Sequence, residues 1–263
     1  MEIILEAKNI VKQFKIKREK IMHRPEKMLT AVDHVSVKIP KKRTIGIVGE
    51  SGSGKSTLAE IIGDLQRPTA GVVEYYGKNI RTMSRNEYRR FRRNVQFIFQ
   101  HAKESLNPYF TVEEVLLEPL KLWNEPFHLE ESREEIKRIL EKVHLPEKIL
   151  HKYPGELSGG QAQRVAIARS LLLRPEIIIC DEAVSALDVS VQKQILDLLK
   201  DLQQEFEMSY LFITHDMGVV NYIADEIIVM KNGRVIEAGE KNEVLFHPQE
   251  DYTKTLISSS FMF

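Results

Sequence analysis

The stretch TIGIVGESGSGKSTLAEII, Thr44 to Ile62, decides the fold. TIGIVG (44–49) is a short apolar strand that runs straight into a glycine-rich turn, and STLAEIIGDL (56–65) has helical periodicity. Between them Gly49-Glu-Ser-Gly-Ser-Gly-Lys-Ser56 fits GxxxxGK[ST]. The strand before it and the helix after it separate a phosphate loop from a chance glycine–serine run. The glycines let backbone N–H groups converge on β- and γ-phosphate oxygens at the positive end of the helix. Lys55 supplies a point charge for those phosphates, the Ser56 hydroxyl suits Mg²⁺, and Thr57 reaches toward the α-phosphate. Gly49, Ser51, Gly52, Ser53, Gly54, Lys55, Ser56 and Thr57 are therefore expected to hold a nucleotide.

Working outward, strands alternate with helices. The first segment alternates apolar and polar residues (Ile3, Leu5, Ile10, Val11, Phe14) and reads as edge strands, followed by a solvated basic loop from Lys15 to Lys27. AVDHVSVKIP (31–40) alternates again. VQFIF (95–99), EIIIC (176–180) and YLFIT (210–214) read as buried strands, and EIIVMKNGRVIEAG (226–239) as a hairpin turning at Asn232-Gly233. Residues 112–150 are helical in pattern, with Pro119, Pro126 and Pro146 as breakers, and 164–173 and 191–206 are further helices. This order implies an α/β fold with a mainly parallel sheet wrapped by helices.

The 263 residues suffice for one large domain, and 43% hydrophobic with 29% charged residues reads as an ordinary globular protein. The 38 basic and 38 acidic residues cancel, which argues against a broad nucleic-acid footprint. Cys180 is the single cysteine, so no intramolecular disulfide framework is possible. No apolar run approaches the roughly 20 residues that span a bilayer, and no signal peptide is expected at the start. Work at a membrane would go through a partner.

Other residues carry chemistry by position. Asp181 and Glu182 end a buried strand, where Asp181 can hold Mg²⁺ through water and Glu182 can polarise an attacking water as general base. The plain alternative is an acid pair capping the next turn. Gln100 follows a strand and could ligate Mg²⁺, although a strand-end glutamine is usually a surface residue. His215 follows YLFIT and could contact a γ-phosphate, although a lone histidine there is more often structural. Phe14 could stack on adenine, with a core aromatic as the blander reading. LSGGQAQR, Leu157 to Arg164, looks like a second phosphate grip opening into a helix.

The order of these pieces resembles the ATP-binding cassette (ABC) family along nearly the whole chain: phosphate loop, Gln100, LSGGQ, Asp181-Glu182, Ser185-Ala-Leu-Asp188, Thr214-His215-Asp216. LSGGQ is highly specific to that family. The resemblance implies a P-loop NTPase fold with an N-terminal antiparallel β subdomain and an α-helical signature subdomain. Residues 1–263 would form one nucleotide-binding domain. Its core would span about 1–100 and 165–245, its helical subdomain about 101–164 and its C-terminal extension about 246–263. By the same resemblance Phe14 stacks on adenine, Gln100 serves the metal and the water, and Glu182 is the base. Asp188 couples two sites and His215 is the switch histidine. ATP and Mg²⁺ are the implied cofactors. Two cassettes pair head to tail, so Ser158, Gly159, Gly160 and Gln161 contact the γ-phosphate of the partner's ATP.

A finer resemblance is to the ATPases of the oligopeptide, dipeptide and nickel importers, carried by AVDHVSV (31–37), IGIVGESGSGKSTLAEIIGDLQRPTAG (45–71), SLNPYFTVEEVLLEPL (105–120), DEAVSALDVSVQ (181–192) and FITHDMGVVNYIAD (212–225). HPQEDYTKTL (247–256) looks like a variant of that group's His-Pro-Tyr-Thr segment, with three residues inserted before Tyr252. The cysteine-bearing tail of many members is not expected here, so no iron–sulfur cluster is implied. Ala183 replaces a frequent proline, as in nickel-type members. This resemblance implies a peripheral protein on the cytoplasmic face of the membrane. It would pair with a second, related ATPase more readily than with itself. Its other partners would be two membrane permease subunits, received near Leu106, Asn107, Tyr109 and Phe110, and indirectly an extracytoplasmic solute-binding protein. The rivals are a soluble cassette ATPase acting on nucleic acid or the ribosome, an exporter ATPase, and a pure binding module. The single cassette and the lack of a coiled coil between phosphate loop and signature argue against the first.

Overall fold

The computed structural model describes residues 2–16, 27–123 and 126–260. Most of the basic loop expected at 15–27 lies outside them. Two compact units emerge, Met1–Ser84 with Ile213–Phe263, and Arg85–Phe212.

The first unit opens with two long antiparallel strands, β1 (Ile3–Ile16) and β2 (Lys27–Pro40). Next come β3 (Thr44–Val48), α1 (Lys55–Ile62), β4 (Ala70–Tyr75) and the short β5 (Lys78–Asn79). The order β2-β1-β4-β5 places β1 inside a four-stranded antiparallel sheet, not at an edge. The correction comes from β4, which pairs with β1 through Leu5–Tyr75 and Ala7–Val73. Its sequence, AGVVEY, has too short an apolar run to announce a strand. Val35, Val37 and Ile39 alternate inward along β2, as a half-buried strand requires.

In the second unit α2 (Arg85–Asn94) leads into β6 (Val95–Ile98). Four helices follow: α3 (Ala102–Ser105), α4 (Val112–Trp123), α5 (Leu129–Lys142) and α6 (Gly159–Leu171). The unit closes with β7 (Ile177–Asp181), parallel to β6, then α7 (Val189–Phe206) and β8 (Ser209–Thr214), whose last residues belong to the first unit. Pro119 does not break its helix but lies inside α4. An interior proline costs about 3 kcal/mol. Here Val112, Val115, Leu116, Leu117 and Leu120 are all buried around it, so packing outweighs the lost hydrogen bond. Pro126 and Pro146 do fall outside helices, Pro146 at the entry of a 3₁₀ turn, Glu147–His151.

Back in the first unit, α8 (Met217–Ile223) precedes the hairpin of β9 (Glu226–Lys231) and β10 (Arg234–Glu240). It turns at Asn232 (φ 50°) and Gly233 (φ 80°), the positive pair a tight two-residue hairpin needs. β9 lies parallel to β3. The chain then forms α9 (Lys241–Phe246) and α10 (Asp251–Ser260). Val48 of β3, Met217 and Val220 of α8, Val229 of β9, Val244 and Leu245 of α9 and Leu256 of α10 share one apolar cluster. Both expected sheet types are therefore present: antiparallel at the N-terminus, and parallel pairs at β3–β9 and β6–β7.

Candidate functional site

In the first unit the chain turns sharply after β3. Gly54 caps α1 with φ at 101°, and a Cβ there would lie 2.2 Å from the Ala31 carbonyl oxygen, so only glycine fits. Two neighbours fix the loop from behind. The Gly233 amide donates to the Ser53 carbonyl (2.9 Å), and the Asp33 amide donates to the Gly233 carbonyl (2.8 Å). Thus β2, the β9–β10 turn and the phosphate loop meet at one place.

Lys55 is only 4% exposed although it carries a charge. Its ammonium donates to the Gly49 and Glu50 carbonyls, 2.8 Å each, and reaches Ser53 Oγ at 3.4 Å. Those carbonyls solvate a charge that burial would otherwise penalise heavily. α1 begins without a side-chain cap and without an acid in its first turn, which suits an anion at that end. Ser51, Gly52 and Ser56 are exposed, and Thr57 is half-buried. Phe14 lies outside the buried core, with the Lys12 ammonium 5.0 Å from its ring centre. His215 is exposed between β8 and Asp216, whose carboxylate accepts the Gly218 amide at 2.7 Å and so caps α8.

The second unit brings Gln100 and Glu182 together. The Gln100 amide nitrogen donates to the Glu182 carboxylate (3.1 Å) and to Ser185 Oγ (3.3 Å). Ser185 Oγ in turn donates to the Glu182 carbonyl at 2.9 Å. Glu182 itself has φ at 48°, a left-handed conformation unusual for a residue with a Cβ. Such backbone persists where surrounding bonds over-determine it, and it concentrates at functional sites. Asp181, the last residue of β7, is half-buried beside it. Burial pushes the neighbouring Cys180 thiol well above its ordinary range, so it stays protonated and inert.

At LSGGQ the geometry is equally specific. Ser158 caps α6: its hydroxyl accepts the Gln161 amide (3.2 Å), while the Gln161 side chain accepts the Ser158 amide (3.1 Å). This is a reciprocal capping box. A Cβ on Gly160 would fall 2.7 Å from Val191 Cγ1, and one on Gly159 would fall 3.2 Å from Leu187. The glycines therefore let α6 press against the loop that carries Asp188. Asp188 accepts the Val191 amide at 3.0 Å to cap α7. The Ser190 hydroxyl, then the Val191 amide, hold its carboxyl below the usual value.

Sequence alone assigns no role to Ser185 or Val191. Ser185, three residues after Glu182, carries the signal of a serine turn. Val191 is visible only through the glycine it faces. Ser56, Gln100 and Asp181, the residues expected to serve Mg²⁺, offer a hydroxyl, an amide oxygen and a carboxylate, all hard oxygen donors that fit this ion. Among the described residues no group of three or more His, Cys, Asp or Glu could hold a metal. An ion on so few protein ligands would complete its shell with water and phosphate, as Mg²⁺ does.

Residues 32–185 match the family model described as ABC transporter. The chain belongs to the ABC transporter family. It is 42% identical to the oligopeptide transport ATP-binding protein OppF of Salmonella typhimurium over 259 residues, covering 98% of this chain and 78% of that protein. It is also 42% identical to the dipeptide transport ATP-binding protein DppF of Escherichia coli over 257 residues, 98% of this chain and 76% of that one. A solved ABC cassette, MJ0796, described as a dimeric post-hydrolysis state bound to ADP and Pi, superimposes with a TM-score of 0.78 at 34% identity. That match covers 90% of this chain and 99% of the cassette. The α/β fold is that of an ABC ATPase, and the resemblance to peptide-importer ATPases read from sequence stands.

Proposed function

We propose that this ABC ATPase hydrolyses ATP to drive uptake of oligopeptides or dipeptides through partner membrane subunits. The observation that carries hydrolysis is the Gln100–Glu182 clasp on left-handed backbone at the end of β7, which holds a carboxylate in one orientation. The names of the relatives, oligopeptide and dipeptide transport proteins, support the cargo. Nickel rests on the resemblance to the wider importer group and on Ala183, which is buried at 2% exposure, and none of the relatives named above is a nickel transporter.

In this reading residues 1–263 are one nucleotide-binding domain. Phe14 stacks on adenine. Lys55 leaves the Gly49 and Glu50 carbonyls for the β- and γ-phosphates. Ser56, Gln100 and Asp181 hold Mg²⁺, which when bound neutralises charge on those phosphates. Glu182 takes the proton of the attacking water, and His215 contacts the γ-phosphate. The signature residues Ser158 to Gln161 serve a partner cassette's ATP. The solved relative is a dimer, which supports pairing in general; pairing with an unlike ATPase is the finer reading and rests on the importer resemblance. Among the described residues no helix is long and apolar enough to cross a membrane; permease subunits and a place at the cytoplasmic face rest on the importer resemblance.

The test is uptake in cells that lack the chromosomal copy of this chain. Restored wild type should import a labelled tripeptide, and Lys55→Ala should not. Import of Ni²⁺ but no peptide would overturn the cargo assignment.

A further inference from the structure

The helix α10, in the segment that varies the His-Pro-Tyr-Thr pattern, lies against the phosphate loop. Its start is anchored by Glu237, whose carboxylate accepts the amides of Gln249 (2.9 Å) and Glu250 (3.3 Å). Burial opposes ionisation of that carboxyl, but its neighbours, the Gln249 amide foremost, keep it below the usual glutamate value. Thr253 and Leu256 are buried, and Leu256 belongs to the cluster that contains Val48, the last residue of β3. The Lys231 ammonium lies 4.2 Å from the Tyr252 ring centre. A ring so placed has little freedom.

The Tyr252 hydroxyl accepts the Glu50 amide at 3.2 Å. That amide belongs to the same peptide group as the Gly49 carbonyl, on which Lys55 rests at 2.8 Å. The peptide unit is rigid and planar, with its C=O and N–H pointing to opposite sides. Tyr252 and Lys55 therefore hold the two ends of one plate, and turning either end turns the other. A Cβ at Gly49 would fall 2.1 Å from the Met230 carbonyl, so the backbone is pressed against β9 beside Lys231. Burial pushes the Tyr252 phenol above its ordinary value, so the oxygen is a neutral acceptor at neutral pH.

We propose that Tyr252 is a positioning residue for the phosphate loop: through the 49–50 peptide, α10 sets the orientation from which Lys55 and the loop amides meet the nucleotide. The C-terminal segment then serves the ATP site of its own chain, beyond closing the apolar cluster. This rests on the reading of the loop as an ATP site.

Tyr252→Phe keeps the ring on Lys231 and removes only the acceptor. In the nucleotide-free protein, exchange of the Glu50 amide should quicken in the variant while the Leu58 amide is unchanged. ATP affinity should weaken about two- to tenfold, the size of one net hydrogen bond, with KM raised and kcat retained. Equal Glu50 exchange in both proteins would refute the brace. Faster exchange with unchanged ATP affinity would refute its positioning role. If the wild type bound no ATP, the ATP-site reading would fail, and the positioning role with it, while the exchange comparison would still decide the brace.

Discussion

Glu182 shows what a single residue adds to a motif. Asp-Glu at the end of an apolar run is legible as a pair of carboxylates, and their assignment to different jobs follows from alternation along a strand. The left-handed φ of Glu182 and its clasp by Gln100 are not legible, because they depend on a residue far away in the chain and on a serine turn. The geometry separates the proposed base, Glu182, from the residues that orient it. Glu182→Gln should lower ATP turnover by about 10²–10⁴-fold, the range for loss of a general base, with nucleotide affinity retained. Ser185→Ala leaves the carboxylate but removes a bond to its backbone and a partner of Gln100. Turnover should then fall only about two- to tenfold, as one net hydrogen bond allows, with KM for ATP steady. Phosphate release under saturating ATP reads both. Equal losses in the two variants would show that Glu182 acts by shape and not as a base.

At the scale of elements, boundaries were recovered where period and punctuation agree. The β9–β10 hairpin turns at Asn232-Gly233 as expected, and β3 into α1 is legible because strand, glycine loop and helix follow one another directly. β1 reads as an edge strand because its second partner, β4, carries too few apolar residues to signal itself. Pro119 misled for the opposite reason: a strong local breaker yields to burial that is decided elsewhere. The signature helix α6 starts at Gly159, ahead of the apolar run: its capping box, Ser158 with Gln161, is a local pattern, whereas the contact of Gly160 with Val191 is tertiary. Gly160 offers a direct test. Alanine in place of glycine inside a helix ordinarily stabilises by roughly 0.5–1 kcal/mol. Here the new methyl would meet Val191 Cγ1 at 2.7 Å, next to the amide that caps α7 on Asp188. Overpacking costs about 1–3 kcal/mol, so the clash outweighs the entropy gain. Gly160→Ala should therefore lower the melting temperature, by roughly 2–4 °C per kcal/mol lost in a protein of this size. Calorimetry showing a rise would mean that Val191 yields freely and that the starts of α6 and α7 are not locked.

For the whole molecule the question is whether Ser158 serves only its own helix. The order of motifs makes the family legible, but cargo choice is not, because every motif the chain carries concerns nucleotide. The capping box gives Ser158 a complete local reason to exist, so a disruptive substitution there would confuse folding with pairing. Its chemistry permits both roles. A hydroxyl has two acceptor sites and one donor, and the cap uses an acceptor, which leaves the proton available for a partner's phosphate. Aspartate caps a helix about as well as serine, yet it brings a negative charge and no donor at neutral pH. Ser158→Asp should therefore keep the melting temperature and ATP affinity of the wild type. In a Glu182→Gln background with ATP and the proposed partner ATPase, it should fail to form the pair that Glu182→Gln alone is expected to form, as read by light scattering. Unchanged pairing would confine Ser158 to the cap. A lowered melting temperature would instead show that α6 depends on the hydroxyl itself. Retained stability with lost pairing is the outcome expected of a chain whose second phosphate grip is built for the nucleotide of another.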